Sequence, residues 1–95
     1  MGVSCLDISK KSVWLDTVDQ EHITIEVINK CTNTLAVKLN VIGLPEDELL
    51  YERSLILRGG ETQAIEIVAD KYYEELEVRL SSQAELNAIF RIKLR

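Results

Sequence analysis

The sequence contains few of the residues that build loop-rich scaffolds, disulfide frameworks or histidine sites. Its 95 residues include one proline, four glycines, two cysteines and one histidine. Cys5 and Cys31 do not form a CxxC pair, which excludes a zinc ribbon and thioredoxin-like redox chemistry. The two cysteines can form one disulfide bridge if the first strand runs beside the segment that holds Cys31. Two buried or half-buried thiols are the favoured interpretation, because two cysteines are too few for a disulfide framework.

Long hydrophobic runs and an excess of positive charge are also absent. Charged residues interrupt the apolar stretches after a few positions, so we expect no transmembrane segment. Eleven Lys and Arg against sixteen Asp and Glu give a net charge of −5, and an acidic domain repels phosphate backbones. We therefore expect no nucleic-acid partner. No Lys- or Arg-led apolar segment follows Met1, which fits either a cytoplasmic protein read from its native start or an excised extracytoplasmic domain.

Hydrophobic residues make up 46% of the chain and alternate with polar residues nearly everywhere. The strictest alternation of apolar and charged residues occurs at 76–80 and 90–94, and similar patterns occur at 22–27, 35–41 and 62–69. A period of two with many β-branched residues is typical of half-buried antiparallel strands. With an opening strand within 6–15, the count is about seven. A single domain over residues 1–95 is therefore predicted to be all-β, an immunoglobulin-like Greek-key β-sandwich of about seven antiparallel strands.

Two segments also fit helices. Residues 45–58 begin with Pro45 and acids and end with basic residues before Gly59, as helices do. Residues 55–57 fit a short strand equally well, and the sandwich needs one there, so we favour a strand over 50–58. At 72–80 a helical stripe competes with the strict alternation of 76–80, which favours a strand.

The order of turn residues over 23–67 carries a family resemblance. A strand ends in Asn29, a second strand runs to Gly43-Leu44-Pro45, and Leu57-Arg-Gly-Gly-Glu opens another. This order resembles immunoglobulin-like domains of the CARDB and alpha-galactosidase-associated types, which are accessory domains of archaea and bacteria. The resemblance implies a non-catalytic accessory or interaction module and carries over no catalytic residue. Lys30-Cys31 departs from it, since those domains usually carry a glycine there and most of them are extracytoplasmic.

Nucleophilic and phosphate-binding sites are not expected. The single histidine, His22, begins a strand on the outward parity and is interpreted as an ordinary exposed side chain. Cys31 lies beyond the far end of the same strand, roughly 30 Å away, so the two cannot form a catalytic dyad. Gly59-Gly60 lacks the lysine of a phosphate-binding loop and is interpreted as a tight hairpin turn.

The acidic runs are interpreted as solvated surface. Residues 46–48 with Glu52 are consecutive acids, whereas calcium loops alternate their ligands around a turn glycine. The acids between Asp70 and Glu77 lack the cleft-lining aromatics of a glycosidase. On the last strand, Arg91 and Lys93 should face Glu75 and Glu77, and Arg95 continues that row; opposite charges across a strand pair neutralise a nucleic-acid stripe. We therefore expect no catalytic residue, no cofactor and no metal.

The sandwich pattern also predicts the core and an interaction face. In the usual immunoglobulin-like arrangement the first, second, fourth and fifth strands share one sheet. Charges should pair on the outer face of the other sheet, while apolar side chains face outward on the first, and such patches tend to mark contacts. The predicted partner-binding residues are Trp14, Thr24 and Val68 near one end, and Ile28, Ala64 and Ile56 near the other. The predicted core is Ile23, Ile25, Val27, Val37, Leu39, Ile65, Ile67, Leu76, Val78, Phe90 and Ile92.

These patterns favour a non-catalytic module for protein interaction or assembly, with a protein partner or a second copy of the chain. The alternative is a structural subunit or excised ectodomain of a surface filament or envelope protein, and a small catalytic domain is the third class. The competing interpretation of Trp14 is a core plug, that is, a side chain that folds over the edge of the sandwich and forms part of the core.

Overall fold

Seven antiparallel strands form two sheets in the computed structural model, which describes residues 5–82 and 85–95, with the backbone alone at 85–87. The first sheet has the order β1-β2-β5 and the second the order β4-β3-β6-β7. The predicted all-β sandwich of seven strands is confirmed. The strands are β1 Leu6–Leu15, β2 Glu21–Asn29, β3 Leu35–Leu44, β4 Glu48–Leu57, β5 Thr62–Ala69, β6 Glu75–Ser82 and β7 Glu85–Lys93.

Alternating side chains of both sheets form the core, as the period of two predicts. Nine of the eleven predicted core residues are buried, and Ile23, Ile25 and Val27 are fully so. Phe90 and Ile92 are only half-buried, although they pack against the core, because β7 is an edge strand. Four further fully buried side chains complete the core: Val41, Leu57, Tyr73 and Leu80. Alternation at 35–41 and 76–80 places Val41 and Leu80 inward, although the predicted core omits them, whereas Leu57 and Tyr73 were not indicated.

The fourth strand lies in the second sheet, which corrects the predicted arrangement. Within 45–58, residues Glu48–Leu57 form a strand, as favoured over a helix, but this strand pairs along its length with β3. The reason is the connection of three residues between Leu44 and Glu48, in which Asp47 adopts a left-handed φ of 61°. So short a hairpin keeps both strands in one sheet, since the opposite sheet lies about 10 Å away.

Cys5 and Cys31 form a disulfide, so the favoured interpretation of two thiols is wrong. Leu6 pairs with Asn29, which brings β1 beside the turn after β2, and the Cα atoms of the two cysteines lie 5.3 Å apart. That separation is typical of a bridge. The buried Asn29 side chain fixes the same turn, because its Oδ1 accepts from the backbone N–H of Cys31 at 2.9 Å and its Nδ2 lies 3.0 Å from the carbonyl of Asn33.

The connections between strands lie at two opposite ends. The Trp14 end carries connections 16–20, 45–47 and 70–74, which are joined by a hydrogen bond of 2.8 Å from Gln20 to Asp70 and one of 3.0 Å from Glu74 N–H to the Leu44 carbonyl. The disulfide end carries connections 30–34 and 58–61. The sequence also carries a turn signal at Ser81-Ser82-Gln83; Ser81 and Ser82 instead end β6, and Gln83 lies outside the described residues.

Candidate interaction surface

A β-bulge turns Trp14 to the outside of the first sheet. Leu6 and Ile8 face the core, and strict alternation would make Trp14 face it too. The register of β1 against β2 shifts between Lys10 and Ser12, and the extra residue reverses the parity of the rest of the strand. Trp14 therefore pairs with His22 on the outer face and remains 49% exposed. Its position on the surface contradicts the core-plug interpretation.

Trp14 is held in place by His22. Their rings stack with centroids 4.0 Å apart and planes 6° from parallel. His22 Nε2 lies 2.8 Å from Asp16 Oδ2, and Asp16 Oδ1 accepts from the backbone N–H groups of Val18 and Gln20. The hydrogen bond with His22, followed by the backbone N–H of Gln20, lowers the pKa of Asp16 below its ordinary value. The carboxylate thus fixes the turn and the imidazole together, and the imidazole fixes the indole.

The interpretation of His22 as an ordinary exposed residue is wrong. Its side chain is 15% exposed, and its Nδ1 is buried without a hydrogen-bond partner. A histidine oriented by an aspartate resembles two members of a hydrolytic triad. Among the described residues, however, no hydroxyl or thiol makes a hydrogen bond with His22, and both cysteines are in the disulfide. The pair acts on Trp14 by packing.

A buried ion pair closes the same end. Glu21 is 1% exposed, and the guanidinium of Arg95 pairs with its Oε2, while its Oε1 has no partner. The guanidinium also lies over the ring of Tyr72, 4.7 Å from its centroid. Arg95 therefore connects the start of β2 to connection 70–74. Alternation alone indicated neither the burial of Glu21 nor this partner.

Connection 70–74 is anchored by Tyr73. Its ring packs on Gly43, where an added Cβ would lie 2.5 Å from a ring carbon, and its hydroxyl donates to Glu48. Burial, together with the hydrogen bond to Glu48, raises the pKa of Tyr73 to about 12. Lys71 adds an ion pair of 3.8 Å to the same carboxylate. These contacts fix the connection against the end of β3 and the start of β4.

Exposed apolar side chains gather at this end. Leu15 is 49% exposed, Val18 69%, Val68 46% and Tyr72 55%. Val68 pairs with His22 on the side opposite Trp14, so the three side chains form one row across the sheet. We call five of these exposed apolar residues the Trp14 patch: Trp14, Leu15, Val18, Val68 and Tyr72.

The six predicted partner-binding residues do not form one face. Trp14 and Val68 lie in the row described above, and Thr24 lies in the next row, with Ser12 and Glu66 as neighbours. Ile28 and Ala64 lie in adjacent rows toward the disulfide end, as predicted. Ile56 does not join them, because β4 belongs to the other sheet, where Ile56 pairs with Ala36.

The outer face of the second sheet carries the expected charge pairs. Glu77 lies opposite Arg91 at 3.5 Å and also pairs with Arg79 at 2.6 Å, and Glu75 lies opposite Lys93. Arg95 departs from the predicted row because it pairs with Glu21. A groove of about 870 Å³ crosses this face near Ile56.

The part of the chain that the structure describes holds neither a metal-binding cluster nor a membrane-spanning helix. No group of three or more His, Cys, Asp or Glu side chains there is arranged to hold a metal ion. Within those same ranges, 5–82 and 85–95, no helix has the length and apolarity needed to span a membrane.

Comparison with solved structures supports the fold. A beta-glucosidase from Kluyveromyces marxianus, solved with glucose, aligns with 95% of this chain at 17% identity and a TM-score of 0.51. A beta-glucosidase from Listeria innocua, solved with gluconolactone, aligns with 93% at 12% identity and a TM-score of 0.50. The chain spans 14% and 16% of those two proteins.

No family model and no curated protein matches this chain. At these identities the structural likeness extends to the fold alone. The CARDB-type resemblance is thus confirmed only in its coarser part, an all-β fold of seven strands in two sheets.

Proposed function

We propose that this domain is a non-catalytic accessory module that binds another protein through the Trp14 patch. The observation that carries the proposal is a tryptophan turned outward by a bulge and immobilised by a stacked histidine. Tryptophan is enriched among the residues that dominate interface energies. A side chain that is already fixed loses little conformational entropy when a partner covers it.

The exposed area of Trp14 determines how much binding free energy is lost when the side chain is removed. An indole side chain has roughly 250 Å² of surface, and 49% of the residue is exposed. Covering that part removes about 120 Å² from water, worth about 3 kcal/mol at about 25 cal/mol per Å². Trp14→Ala should therefore weaken binding by about two orders of magnitude; it should also lower the stability of the fold, because the other half of the side chain is buried and the indole stacks on His22.

A capture experiment from cells of the source organism tests the proposal. Tagged wild-type protein, Trp14→Ala and Ile56→Ala are compared, since Ile56 is 68% exposed on the other sheet and serves as a matched control. Binding of one defined protein should survive in Ile56→Ala and fall in Trp14→Ala, with both variants still folded at the temperature of the assay. Equal binding by all three proteins would contradict the proposal, and so would a Trp14→Ala variant that is simply unfolded.

The disulfide favours a second candidate, the ectodomain of a surface or envelope protein. Structural disulfides form and persist in oxidising compartments and are rare in the cytosol. Alkylation of free thiols in protein taken directly from its source cells tests this placement. The candidate predicts that Cys5 and Cys31 are labelled only after reduction, and labelling without reduction would contradict it.

A further inference from the structure

The net charge of the chain is concentrated at the Trp14 end. Connections 16–20, 45–47 and 70–74 contain six carboxylates and one lysine, a net charge of −5, which equals that of the whole chain. Connections 30–34 and 58–61, at the disulfide end, contain two basic residues and one acid, a net charge of +1. The strands nearly balance their own charges, so the Trp14 patch lies within a negative field.

Two cations of this end, Lys71 and Arg95, already have carboxylate partners, whereas two carboxylates beside the patch have no cationic partner. Lys71 pairs with Glu48 at 3.8 Å, and Arg95 pairs with Glu21. In the described part of the chain, no cationic nitrogen lies within 4.0 Å of the carboxylates of Asp19 and Asp70. Asp70 accepts one hydrogen bond, from Gln20 at 2.8 Å.

Both residues line one hollow. It measures about 290 Å³ and is lined by Asp19, Asp70, Lys71 and Tyr72. Tyr72 belongs to the Trp14 patch, so the hollow opens beside exposed apolar surface. Its dimensions and charge suit one lysine or arginine side chain, whose apolar stem would lie against the phenol ring and whose head would lie between the carboxylates.

We infer that the partner of the Trp14 patch is a protein segment with a lysine or arginine flanked by apolar side chains. This inference rests on the proposed function and adds the chemistry of the partner. The same negative field repels nucleic acids and anionic membranes. Complementary charge around an apolar centre sets specificity and speeds association.

Two synthetic peptides with opposite charges probe the inference. They are acetyl-Leu-Arg-Leu-Arg-Leu-amide and acetyl-Leu-Glu-Leu-Glu-Leu-amide, titrated into the ¹⁵N-labelled protein at low salt. Amide shifts report the site, and quenching of Trp14, the only tryptophan of the chain, reports the patch. The arginine peptide should bind roughly tenfold more tightly than the glutamate peptide, since two favourable charge contacts become two repulsive ones. Its shifts should fall in residues 14–20 and 68–72.

Asp19→Asn/Asp70→Asn tests the two carboxylates. Asparagine tolerates the left-handed φ of 60° at Asp19 and keeps an oxygen that can accept from Gln20. The control Glu52→Gln/Glu61→Gln makes the same change in net charge far from the hollow. The preference for the arginine peptide should disappear in the first double variant and survive in the control. Equal loss in both variants, or a preference retained in the first, would overturn the inference.

Trp14→Ala separates this inference from the proposed function. One outcome is that Trp14→Ala abolishes binding of both peptides while Asp19→Asn/Asp70→Asn keeps the preference for the arginine peptide. That result would support the Trp14 patch as the binding surface and refute the basic partner. If Trp14→Ala changes neither titration, the surface itself is refuted. Absence of saturable binding by either peptide counts against the inference, as does a Trp14-dependent dimer in sedimentation, because the occupant would then be a second copy.

Discussion

Tyr73 should make the folded protein sensitive to alkali. Its phenol is 2% exposed and donates a hydrogen bond to Glu48, and its pKa is raised from 10.0 to about 12. The folded state therefore favours the protonated phenol, and its contribution to stability is complete below pH 10. It is lost as pH rises toward about 12, because the unfolded chain ionises first.

The size of the loss follows from the shift. Each pKa unit corresponds to about 1.4 kcal/mol, so the full contribution is about 2–3 kcal/mol, of which about 2 kcal/mol should be lost by about pH 11.5. Tyr73→Phe removes the ionising group. It also removes a hydrogen bond worth about 1 kcal/mol, and water can replace the phenol at the half-exposed Glu48.

Urea unfolding of both proteins at several pH values measures this difference. Below about pH 9 the wild type should be more stable than Tyr73→Phe by about 1 kcal/mol, and near pH 11.5 the variant should be the more stable by a similar amount. Taking the difference cancels the ionisation of lysines and of the other two tyrosines. A difference that does not change with pH would refute the assignment of the raised pKa to Tyr73.

Three further predictions concern stability. Replacing Cys5 and Cys31 by serine should lower the free energy of unfolding by about 3–4 kcal/mol, since the bridge closes a loop of 26 residues; a loss below about 1 kcal/mol by urea unfolding would contradict the bridge. Gly43→Ala should cost about 1–3 kcal/mol, because the new Cβ would overlap the Tyr73 ring, and thermal unfolding equal to wild type would contradict that contact. The lowered pKa of Asp16 means that its contribution is present above pH 3.8 and lost as pH falls below it; the stability advantage of wild type over Asp16→Asn should therefore shrink in acid, and a constant advantage would contradict the bond with His22.

Strand positions and the main core were predictable because they depend on local periodicity. Ile23, Ile25 and Val27 lie on one face of β2, and they are buried whichever strands flank β2, as long as that face packs on the core. The sheet to which β4 belongs was not predictable from the same signal, since alternation is identical on either sheet. The signal that could have placed it was the short turn at 45–47, which favours a hairpin with β3.

The candidate surface depended on features that alternation does not encode. A one-residue bulge decided the side on which Trp14 lies, and nothing in residues 6–15 marks its position. The burial of Glu21 and its pairing with Arg95 join residues 74 positions apart. The outward parity of Val68 and of the paired charges of the second sheet was predicted, because there the pattern and the pairing agree.

The central claim is that the Trp14 patch is covered by another protein in the cell. Hydroxyl-radical footprinting measures this directly, by comparing the oxidation of each side chain in fresh extract of the source cells with that in the purified protein. The account predicts that Trp14 and Tyr72 are protected in the extract, while Ile56, which is exposed on the other sheet, reacts the same in both samples. Undiminished oxidation of Trp14 in the extract, or protection confined to Ile56, would contradict it.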